Sequence, residues 1–302
     1  MTFKTEPVER SLLLPTRTQE TNHEPDHRHP APPTQSLGTA LVTGASGGIG
    51  AVYADRLARR GYDLVLVARS QNRLDEVAGR IQAEHGRTVT TLRADLGDRD
   101  DLARVETLLR ENASLTLLVN NAGFGSVAPL LSAGIETMQD MIDVNVTAVT
   151  RLTYAAVPGF VARGRGGVIN ISSIVAIAPE LLNGVYGGSK AFVLTFTQSL
   201  QHEVADKGVR VQAVLPGATA TEFWDIAGMH HSNMPESWVM TSADMVDAAL
   251  LGFERGEVVT IPSLQDGAQW DAYEAARLTM AGNLSSAQPA PRYRVTVPAN
   301  AA

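Results

Sequence analysis

Tyr186 and Lys190 stand four positions apart at the start of a segment with helical periodicity, and Ser173 lies thirteen residues before the tyrosine. Positions i and i+4 lie one above the other on a helix, so the phenol and the ammonium can face one site. A fixed cation at roughly 5 Å in an effective dielectric near 20 favours the phenolate by about 3 kcal/mol, on the order of two pKa units. Since a free phenol has a pKa of about 10, the spacing predicts a tyrosine that exchanges a proton near neutral pH.

A glycine-rich segment stands between the first predicted strand and the first predicted helix. Glycine permits a sharp turn and lets the backbone approach a pyrophosphate, which the free N–H groups of a helix N-terminus can bind. The placement therefore predicts a dinucleotide site rather than a chance run of glycines. Its candidate cofactor-binding residues are Gly44, Ser46, Gly48, Ile49 and Gly50.

The same segment also fits a second pattern. Residues 44–48 match G-x-S-x-G, the nucleophile elbow of serine hydrolases, which lies at a strand-to-helix turn as well. In those enzymes earlier strands precede the elbow, whereas this segment follows the first strand. A serine hydrolase that uses Ser46 is therefore a distant alternative.

Arg69 follows the second predicted strand, where an NAD-selective site carries Asp or Glu to bind the ribose 2′-hydroxyl. A guanidinium can instead pair with a 2′-phosphate and gains nothing comparable from a bare hydroxyl. Arg69 thus favours NADP(H) as the cofactor. A solvated arginine after a strand is the alternative interpretation.

Short aliphatic or β-branched runs alternate with helical segments from residue 39 onward. Near-continuous apolar strands between helices are typical of a parallel sheet covered on both faces. The sequence therefore predicts an α/β fold, a single-domain Rossmann-type doubly wound parallel sheet of about seven strands with helices on both faces. The predicted strands are residues 40–43, 64–68, 89–92, 117–120, 168–171, 209–215 and 258–261, and the predicted helices lie near 49–60, 72–85, 99–111, 135–157, 185–206 and 243–254.

The segments outside this alternation predict the domain organisation. Residues 1–37 are rich in proline and polar side chains, which predicts a disordered or loosely ordered extension. Residues 38–262 are the predicted dinucleotide-binding catalytic domain. Within it, residues 217–242 are irregular yet carry tryptophan and methionine, which predicts a substrate lid; the alternative is a loop packed on the surface.

Two further features of the termini are open to more than one interpretation. Residues 263–302 are predicted to hold a C-terminal helix and a loose tail, and the helix could cover the site, pack on a neighbouring subunit or pack on its own domain. His23, His27 and His29 cluster in the N-terminal extension, but no carboxylate arrangement around them is compelling. No metal site is predicted.

Composition excludes several classes of function. The chain has 302 residues, of which 44% are hydrophobic, and this suffices for a sizeable core. A net charge of −7 argues against nucleic acid as a partner, and the absence of cysteine excludes disulfides and thiolate metal sites. No apolar run reaches the length of a membrane span, and the N-terminus lacks an apolar signal core. We expect a cytoplasmic protein without a membrane partner.

Taken together, the motifs resemble those of the short-chain dehydrogenase/reductase family across roughly residues 38–262. The glycine segment, Tyr186 and Lys190 match, and further motifs follow in the family's order. These are Asp95-Leu96 after the third strand, Asn120-Asn121-Ala122-Gly123 after the fourth, Asp143-Val144-Asn145-Val146 in the next helix, Ile171-Ser172-Ser173 at the end of the fifth strand, and Pro216-Gly217 with Thr219 and Thr221 after the sixth.

The resemblance implies hydride transfer between a nicotinamide and a carbonyl or alcohol carbon. The implied catalytic residues are Asn145, Ser173, Tyr186 and Lys190, in which the tyrosine is the general acid/base, the serine bonds the substrate oxygen and the asparagine holds a water that links the lysine to solvent. The family's spacing favours Ser173 over its neighbour Ser172. The implied cofactor contacts outside the glycine segment are Arg69, Asp95, Leu96, Asn121, Ala122, Gly123, Tyr186, Lys190, Pro216, Gly217, Thr219 and Thr221.

For three of these segments a structural role is the alternative. Asp95 could simply cap the helix that follows it, because Asp is a favoured N-cap. Asn120 and Asn121 could mainly stabilise their loop. Pro216-Gly217 could be only a turn signal.

The most economical interpretation is an NADP(H)-dependent oxidoreductase acting on a ketone, aldehyde or secondary alcohol, with a homodimer or homotetramer expected from the resemblance. A 3-oxoacyl-carrier reductase and a broad carbonyl reductase for apolar substrates both fall within this class, and the bulky lid favours the second. A nucleotide-sensing protein that has lost its chemistry is an alternative from another class. The intact set of predicted catalytic residues argues against it, because a sensor needs no proton relay.

Overall fold

The computed structural model describes residues 36–229 and 231–293. The histidines of the N-terminal extension and almost all of that extension therefore lie outside the described residues, as does the end of the C-terminal tail. Within the described ranges, no helix combines the length and the apolar composition that crossing a bilayer requires.

Seven parallel strands form one sheet in the order β3-β2-β1-β4-β5-β6-β7. The strand order reverses between β1 and β4, and in open α/β sheets ligands bind at this switch point, outside the carboxyl ends of the strands. The strands are β1 (Thr39–Thr43), β2 (Asp63–Ala68), β3 (Val89–Arg93), β4 (Leu115–Asn120), β5 (Gly166–Ile171), β6 (Val209–Val214) and β7 (Val259–Thr260). The predicted strands are confirmed to within two residues at their ends.

Helices alternate with these strands, as the sequence pattern predicts. The α-helices of the described residues are α1 (Gly48–Arg59), α2 (Gln71–His85), α3 (Arg99–Glu111), α4 (Ile135–Ile142), α5 (Val149–Ala162), α6 (Gly184–Val204), α7 (Phe223–Ala227), α8 (Ser242–Arg255) and α9 (Ala268–Ala281). A π-helical segment, Asp143–Ala148, joins α4 to α5, so the single helix predicted over 135–157 is continuous but locally widened.

Two apolar cores lie on opposite faces of the sheet. Side chains alternate along β1, so that Ala40 and Val42 face one core and Leu41 faces the other. The first core is closed by α1, α2 and α8, and the second by α3, α5 and α6. Both faces are therefore buried, which explains the near-continuous apolar strands and confirms the doubly wound fold.

The C-terminal helix α9 lies at the β7 side of the sheet. Trp270 packs against the small cluster around Leu194 and Leu215, but no residue of α9 is buried. Its residues do not line the cleft described below. Of the three roles predicted for this helix, α9 does not cover the cleft. It packs on its own domain through Trp270.

Candidate active site

The N-terminus of α6 positions Tyr186 and Lys190. Asn183 caps this helix, because its Oδ1 accepts hydrogen bonds from the N–H groups of Val185 at 2.8 Å and Tyr186 at 3.4 Å. Tyr186 therefore lies in the first turn and Lys190 one turn later, and both side chains are buried. The Lys190 Nζ lies 5.8 Å from the centre of the Tyr186 ring and donates a hydrogen bond to the Ile171 carbonyl at 3.0 Å. The predicted pairing of phenol and ammonium is present.

Two adjacent serines follow β5, and their hydroxyls point to different partners. Ser172 donates a 2.7 Å hydrogen bond to the carbonyl of Lys190 and thereby ties β5 to α6. The Ser173 side chain is hydrogen-bonded to the phenol of Tyr186. The structure thus brings Ser173, rather than Ser172, to the tyrosine, as the spacing favours.

Asn145 lies in the π-helical segment and is almost fully buried. Its Oδ1 accepts a 3.1 Å hydrogen bond from the N–H of Phe124, and its Nδ2 donates to the Phe124 carbonyl at 2.9 Å and to the Ser189 Oγ at 3.1 Å. Asn145 therefore fixes the loop after β4 against α6. Single π-helical turns are frequent at functional sites. The water relay that the resemblance assigns to Asn145 stays a prediction.

Burial sets the protonation of the pair. Desolvation raises the pKa of Tyr186 to about 12, and the hydrogen bond from Ser173 opposes this rise only in part. Desolvation also lowers the pKa of Lys190 to about 8. The lowered tyrosine pKa expected from the sequence is therefore not found, because burial raises the pKa of Tyr186 more than the Ser173 hydrogen bond lowers it. At neutral pH Tyr186 carries its proton, as a proton donor must.

The glycine turn after β1 has the geometry that the sequence predicts. Gly44 has φ +66° and Gly48 has φ +50°, which other residues adopt only with strain. A Cβ on Gly50 would lie 2.3 Å from the Gly44 carbonyl oxygen, so only glycine lets α1 start this close to the strand. Gly47 at the N-cap of α1 makes no side-chain cap, which leaves the first N–H groups of the helix toward the cleft.

The asparagine pair after β4 supports this turn. Asn121 donates to the carbonyls of Thr43 at 2.9 Å and Gly44 at 3.3 Å, so it ties the turn to the neighbouring strand. Asn120, the last residue of β4, is buried, and its Nδ2 donates a 2.8 Å hydrogen bond to the Asn170 Oδ1 in β5. The expectation that both residues stabilise their loop agrees with these contacts. Asn121, Ala122 and Gly123 also line the cleft.

The adenosine end of the predicted site lies after β2 and β3. Arg69 is exposed there and lines the cleft together with Asp95 and Leu96. Asp95 does not cap the helix that follows, since Asp98 accepts the hydrogen bonds from the first N–H groups of α3. Instead the Asp95 carboxylate accepts a 3.0 Å bond from Gly97, which forms a tight turn.

The segment after β6 closes the other side of the cleft. Pro216, Gly217, Thr219 and Thr221 all line it, as predicted. The segment is pinned to the end of the predicted lid, because Met240 donates to the Ala218 carbonyl and accepts from Ala220, both at 2.9 Å. The lid, residues 217–242, thus leaves and rejoins the domain at one point. It is less irregular than expected, since it contains α7.

One cleft of about 800 Å³ brings these residues together at the carboxyl ends of the strands. Every predicted site residue lines it except Gly50 and Asn145, which lie directly behind the lining. The tryptophans and methionines of the predicted lid that line the cleft are Trp224, Met229, Met234 and Trp238. Sequence reasoning missed the rest of the apolar lining, which lies in loops where no periodicity marks a buried position. The missed residues are Phe124, Ile174, Val175, Leu181, Leu182, Phe223 and Ile226.

Phe223 at the start of α7 contacts the predicted proton donor. Its ring centre lies 5.7 Å from that of Tyr186, and it stands edge-on to Trp224 at 5.3 Å. Trp224 is buried and donates a 2.9 Å hydrogen bond to the Thr219 carbonyl. The first helix of the lid therefore packs directly over the tyrosine and shields it from water.

The alternatives to dinucleotide chemistry find little support in the cleft. Ser46 lines it, but none of the described lining residues is a histidine, so the described site lacks the base of a serine hydrolase. Outside the cleft, Asp55, Glu84 and His85 could together hold a metal ion. Asp55 is already paired with Arg56 at 2.6 Å and with His85 at 3.0 Å, which explains the cluster as a link between α1 and α2.

Comparison with known proteins identifies relatives with similar sequences and the same fold. A sequence profile of the short chain dehydrogenases matches residues 38–230. A solved short-chain dehydrogenase from Sphingobium yanoikuyae in complex with NADPH is 49% identical with a TM-score of 0.83, and the match covers 85% of this chain and 100% of that chain. A bulky-bulky ketone specific alcohol dehydrogenase from Comamonas testosteroni is 43% identical with a TM-score of 0.79, covering 86% of this chain and 99% of that chain.

A second group of relatives consists of reductases that are named for a different substrate. The very-long-chain 3-oxoacyl-CoA reductase of Anas platyrhynchos is 36% identical over 68% of this chain and 68% of its own length. A very-long-chain 3-oxoacyl-CoA reductase of Danio rerio is 37% identical over 62% of this chain and 60% of its own length. The similarity therefore spans about two thirds of these reductases or somewhat less.

Proposed function

Because this chain belongs to the short-chain dehydrogenase family, we propose that it is an NADPH-dependent reductase of bulky, uncharged ketones. Membership makes it an NAD(P)-dependent oxidoreductase, and the NADPH in the Sphingobium yanoikuyae structure agrees with the cofactor that Arg69 predicts. Beyond this membership, we propose that the reaction runs in the reductive direction and that the ketone is bulky.

The distribution of charge along the cleft carries the proposal. The charged residues that line the described cleft are Arg69, Arg73, Asp95, Lys190 and Glu222. Four of them lie at the dinucleotide end, and the fifth is the buried partner of Tyr186. The lid and the loop between β5 and α6 contribute mainly aliphatic and aromatic residues to the described lining; the polar ones are Ser172, Ser173, Thr219, Thr221, Ser237 and, at the dinucleotide end, Glu222. A large apolar ketone gains from this surface, whereas an anionic substrate finds no cation there.

The residues present fit a bound dinucleotide. The left-handed glycines and the open helix N-terminus provide N–H groups for a pyrophosphate, and Arg69 provides a cation for a 2′-phosphate. At the other end, a Cβ on Gly123 would lie 2.8 Å from the Asn145 Oδ1 and 3.4 Å from the Lys190 Nζ, so the cleft is kept clear beside the lysine. When bound, the reduced cofactor supplies the hydride for the carbonyl carbon.

The chain's own groups deliver the proton and hold the developing charge. Tyr186 donates its phenolic proton to the substrate oxygen, and Ser173 donates a hydrogen bond to the same oxygen as charge grows there. Lys190 stabilises the phenolate that remains, because its ammonium lies beside the ring. Phe223 and Trp224 exclude water, which strengthens each of these interactions. The raised pKa of Tyr186 suits this reductive direction, since the donor stays protonated at neutral pH.

A long-chain 3-oxoacyl thioester is the second candidate substrate, supported by the curated relatives. The apolar lining suits its acyl chain equally well. Coenzyme A, however, carries several phosphates, and the substrate end of the described cleft offers no arginine or lysine for them. The charge distribution therefore favours the ketone.

A matched substrate panel tests the choice. We expect oxidation of NADPH, followed by absorbance, to be fastest with ketones that carry an apolar group of six or more carbons on each side of the carbonyl. Acetone and butanone should react far more slowly because they leave the apolar lining unfilled. A kcat/KM for a 3-oxoacyl-CoA above that for every bulky ketone would overturn the substrate proposal but leave the oxidoreductase assignment intact.

A further inference from the structure

An ion pair joins the lid to α2 across the dinucleotide end of the cleft. The Nη1 of Arg73, in the first turn of α2, lies 2.8 Å from the Oε2 of Glu222, which directly precedes α7. Both residues line the cleft. The pair therefore ties a segment beside the predicted adenosine site to the segment that covers the predicted proton donor.

The surroundings of Arg73 mark it as a phosphate ligand. It lies four residues after Arg69, and both guanidiniums border the same end of the cleft. Ser70, the N-cap of α2, makes no side-chain cap, and the first turn of α2 carries no acidic residue. A helix N-terminus of this kind favours an anion. Two arginines and free N–H groups thus converge on the place where a 2′-phosphate is expected.

Glu222 lies at the same end of the cleft, on the side that the lid contributes. Its neighbour Thr221 faces the glycine turn, since a Cβ on Gly48 would lie 3.4 Å from the Thr221 methyl group. The carboxylate is thus held close to the predicted phosphate-binding turn, although no phosphate group gains from an acidic neighbour. Its one evident role in the described structure is to hold Arg73.

The Arg73–Glu222 ion pair is exposed, so Arg73 can readily exchange the carboxylate for another anion. The side chains of Arg73 and Glu222 retain 50% and 72% of their accessible surface, and ion pairs in such positions contribute little to stability. A phosphate monoester carries more charge than a carboxylate and binds a guanidinium through two parallel hydrogen bonds. The phosphate should win the competition for Arg73.

We propose that Glu222 holds Arg73 beside the cleft and releases it to the 2′-phosphate of NADPH, which makes Arg73 a specificity-determining residue for the cofactor. The inference rests on the NADPH dependence in the proposed function and adds a coupling to it. NADH, which lacks this phosphate, leaves the Arg73–Glu222 pair closed. NADPH opens the pair and frees the start of the lid from α2.

Direct binding measurements on the full chain test this exchange without any substrate. Dissociation constants for NADPH and NADH are measured by fluorescence titration for the wild type, Arg73→Gln, Glu222→Gln and the double variant. Arg80→Gln, an exposed arginine of the same helix, and Glu236→Gln, an exposed acid of the lid, are the matched controls. Thermal unfolding checks that each variant folds, and Arg73→Lys retains the charge without the planar fork.

We expect Arg73→Gln to weaken NADPH binding about tenfold and to change NADH binding less than twofold, with an intermediate loss for Arg73→Lys. Glu222→Gln should tighten NADPH binding about threefold in the presence of Arg73, and should have no effect in the Arg73→Gln background. Equal changes for both cofactors in Arg73→Gln would overturn the proposal. So would a Glu222→Gln effect that persists without Arg73, because the carboxylate would then act only through its general field. Neither result depends on ketone reduction, so failure of the substrate proposal is seen separately.

Discussion

At the scale of single residues, proton transfer depends on one phenol whose surroundings are dry. Tyr186 is held by the cap on α6, hydrogen-bonded to Ser173 and covered by Phe223. Burial keeps the proton on the phenol until a substrate oxygen accepts it. The lysine then matters most after transfer, when a phenolate has formed beside it.

Replacing the phenol should abolish turnover but leave cofactor binding intact. We expect Tyr186→Phe to reduce kcat by at least a thousandfold, because the ring still fills its place but has no proton to give. NADPH binding, followed by fluorescence titration, should change less than threefold. Tyr154→Phe, a change of the same kind at an exposed tyrosine of α5, is the control. Residual reduction above one tenth of the wild-type rate would contradict the role of Tyr186.

The protonation of Lys190 should appear in the pH profile of reduction. Its pKa is lowered by burial to about 8, so the ammonium is present below this pH and is lost above it. We therefore expect kcat/KM for ketone reduction to be constant from pH 6 to about 7.5 and to fall progressively above pH 8. NADPH affinity measured over the same range separates a loss of chemistry from a loss of binding. A profile that rises through pH 9 would show that the charged lysine is not required.

At the scale of elements, the strand ends and helix starts determine where these residues lie. The glycine turn exists because Gly50 lets the first turn of α1 approach the Gly44 carbonyl. The cofactor site is therefore a property of backbone packing as much as of side chains.

A side chain at position 50 should disrupt the glycine turn. We expect Gly50→Ala to weaken NADPH binding at least tenfold and to lower the Tm, because the added methyl group would stand 2.3 Å from a backbone oxygen. Gly79→Ala, within α2, is the matched control, since nothing lies within 4 Å of its Cβ position. There the same change should preserve binding and stabilise the helix by about 0.5–1 kcal/mol. Calorimetry and fluorescence titration measure both effects; equal behaviour of the two variants would refute the argument.

The sequence predicted the elements well because both faces of the sheet are buried, so each strand appears as an apolar run. It also predicted most of the polar site, since those residues follow strand ends. Phe223 and Leu182 escaped notice because loop residues have no periodicity to mark burial. Arg73 was not singled out, because nothing in the sequence distinguishes it from the other charged residues of α2. The protonation of Tyr186 was mispredicted because a pairwise estimate with Lys190 omits desolvation, which only the packed structure supplies.

At the scale of the whole molecule, several large apolar side chains remain exposed within the described part of the chain. Tyr154 of α5 and Phe192 of α6 are 72% and 37% exposed, and both stack with Phe196, at 6.4 Å and 5.7 Å between ring centres. The outer side of α9 adds Leu278 and Met280. Exposed apolar surface of this kind is typical of contacts between proteins.

We expect the protein to form a homodimer or homotetramer through such surfaces. Light scattering after size-exclusion chromatography at micromolar concentration should give two or four times the chain mass. Tyr154→Arg, at the more exposed end of the aromatic stack, should shift the population toward smaller species. Leu131→Arg, at an even more exposed apolar residue elsewhere, should not. A monomeric wild type would exclude the expectation.

The backbone hydrogen bonds that join the two ends of the lid have a consequence for how enzymes of this fold change their substrates. Ala218 and Ala220 are hydrogen-bonded to Met240 through their backbones. The roughly twenty residues of the lid between Ala220 and Met240 therefore begin and end at the same pair of backbone hydrogen bonds. Whatever sequence stands between these points can change without altering the register of any strand. The segment can thus be exchanged between proteins of this architecture, and an exchange of this one loop is expected to change the range of substrates while Ser173, Tyr186 and Lys190 keep their positions.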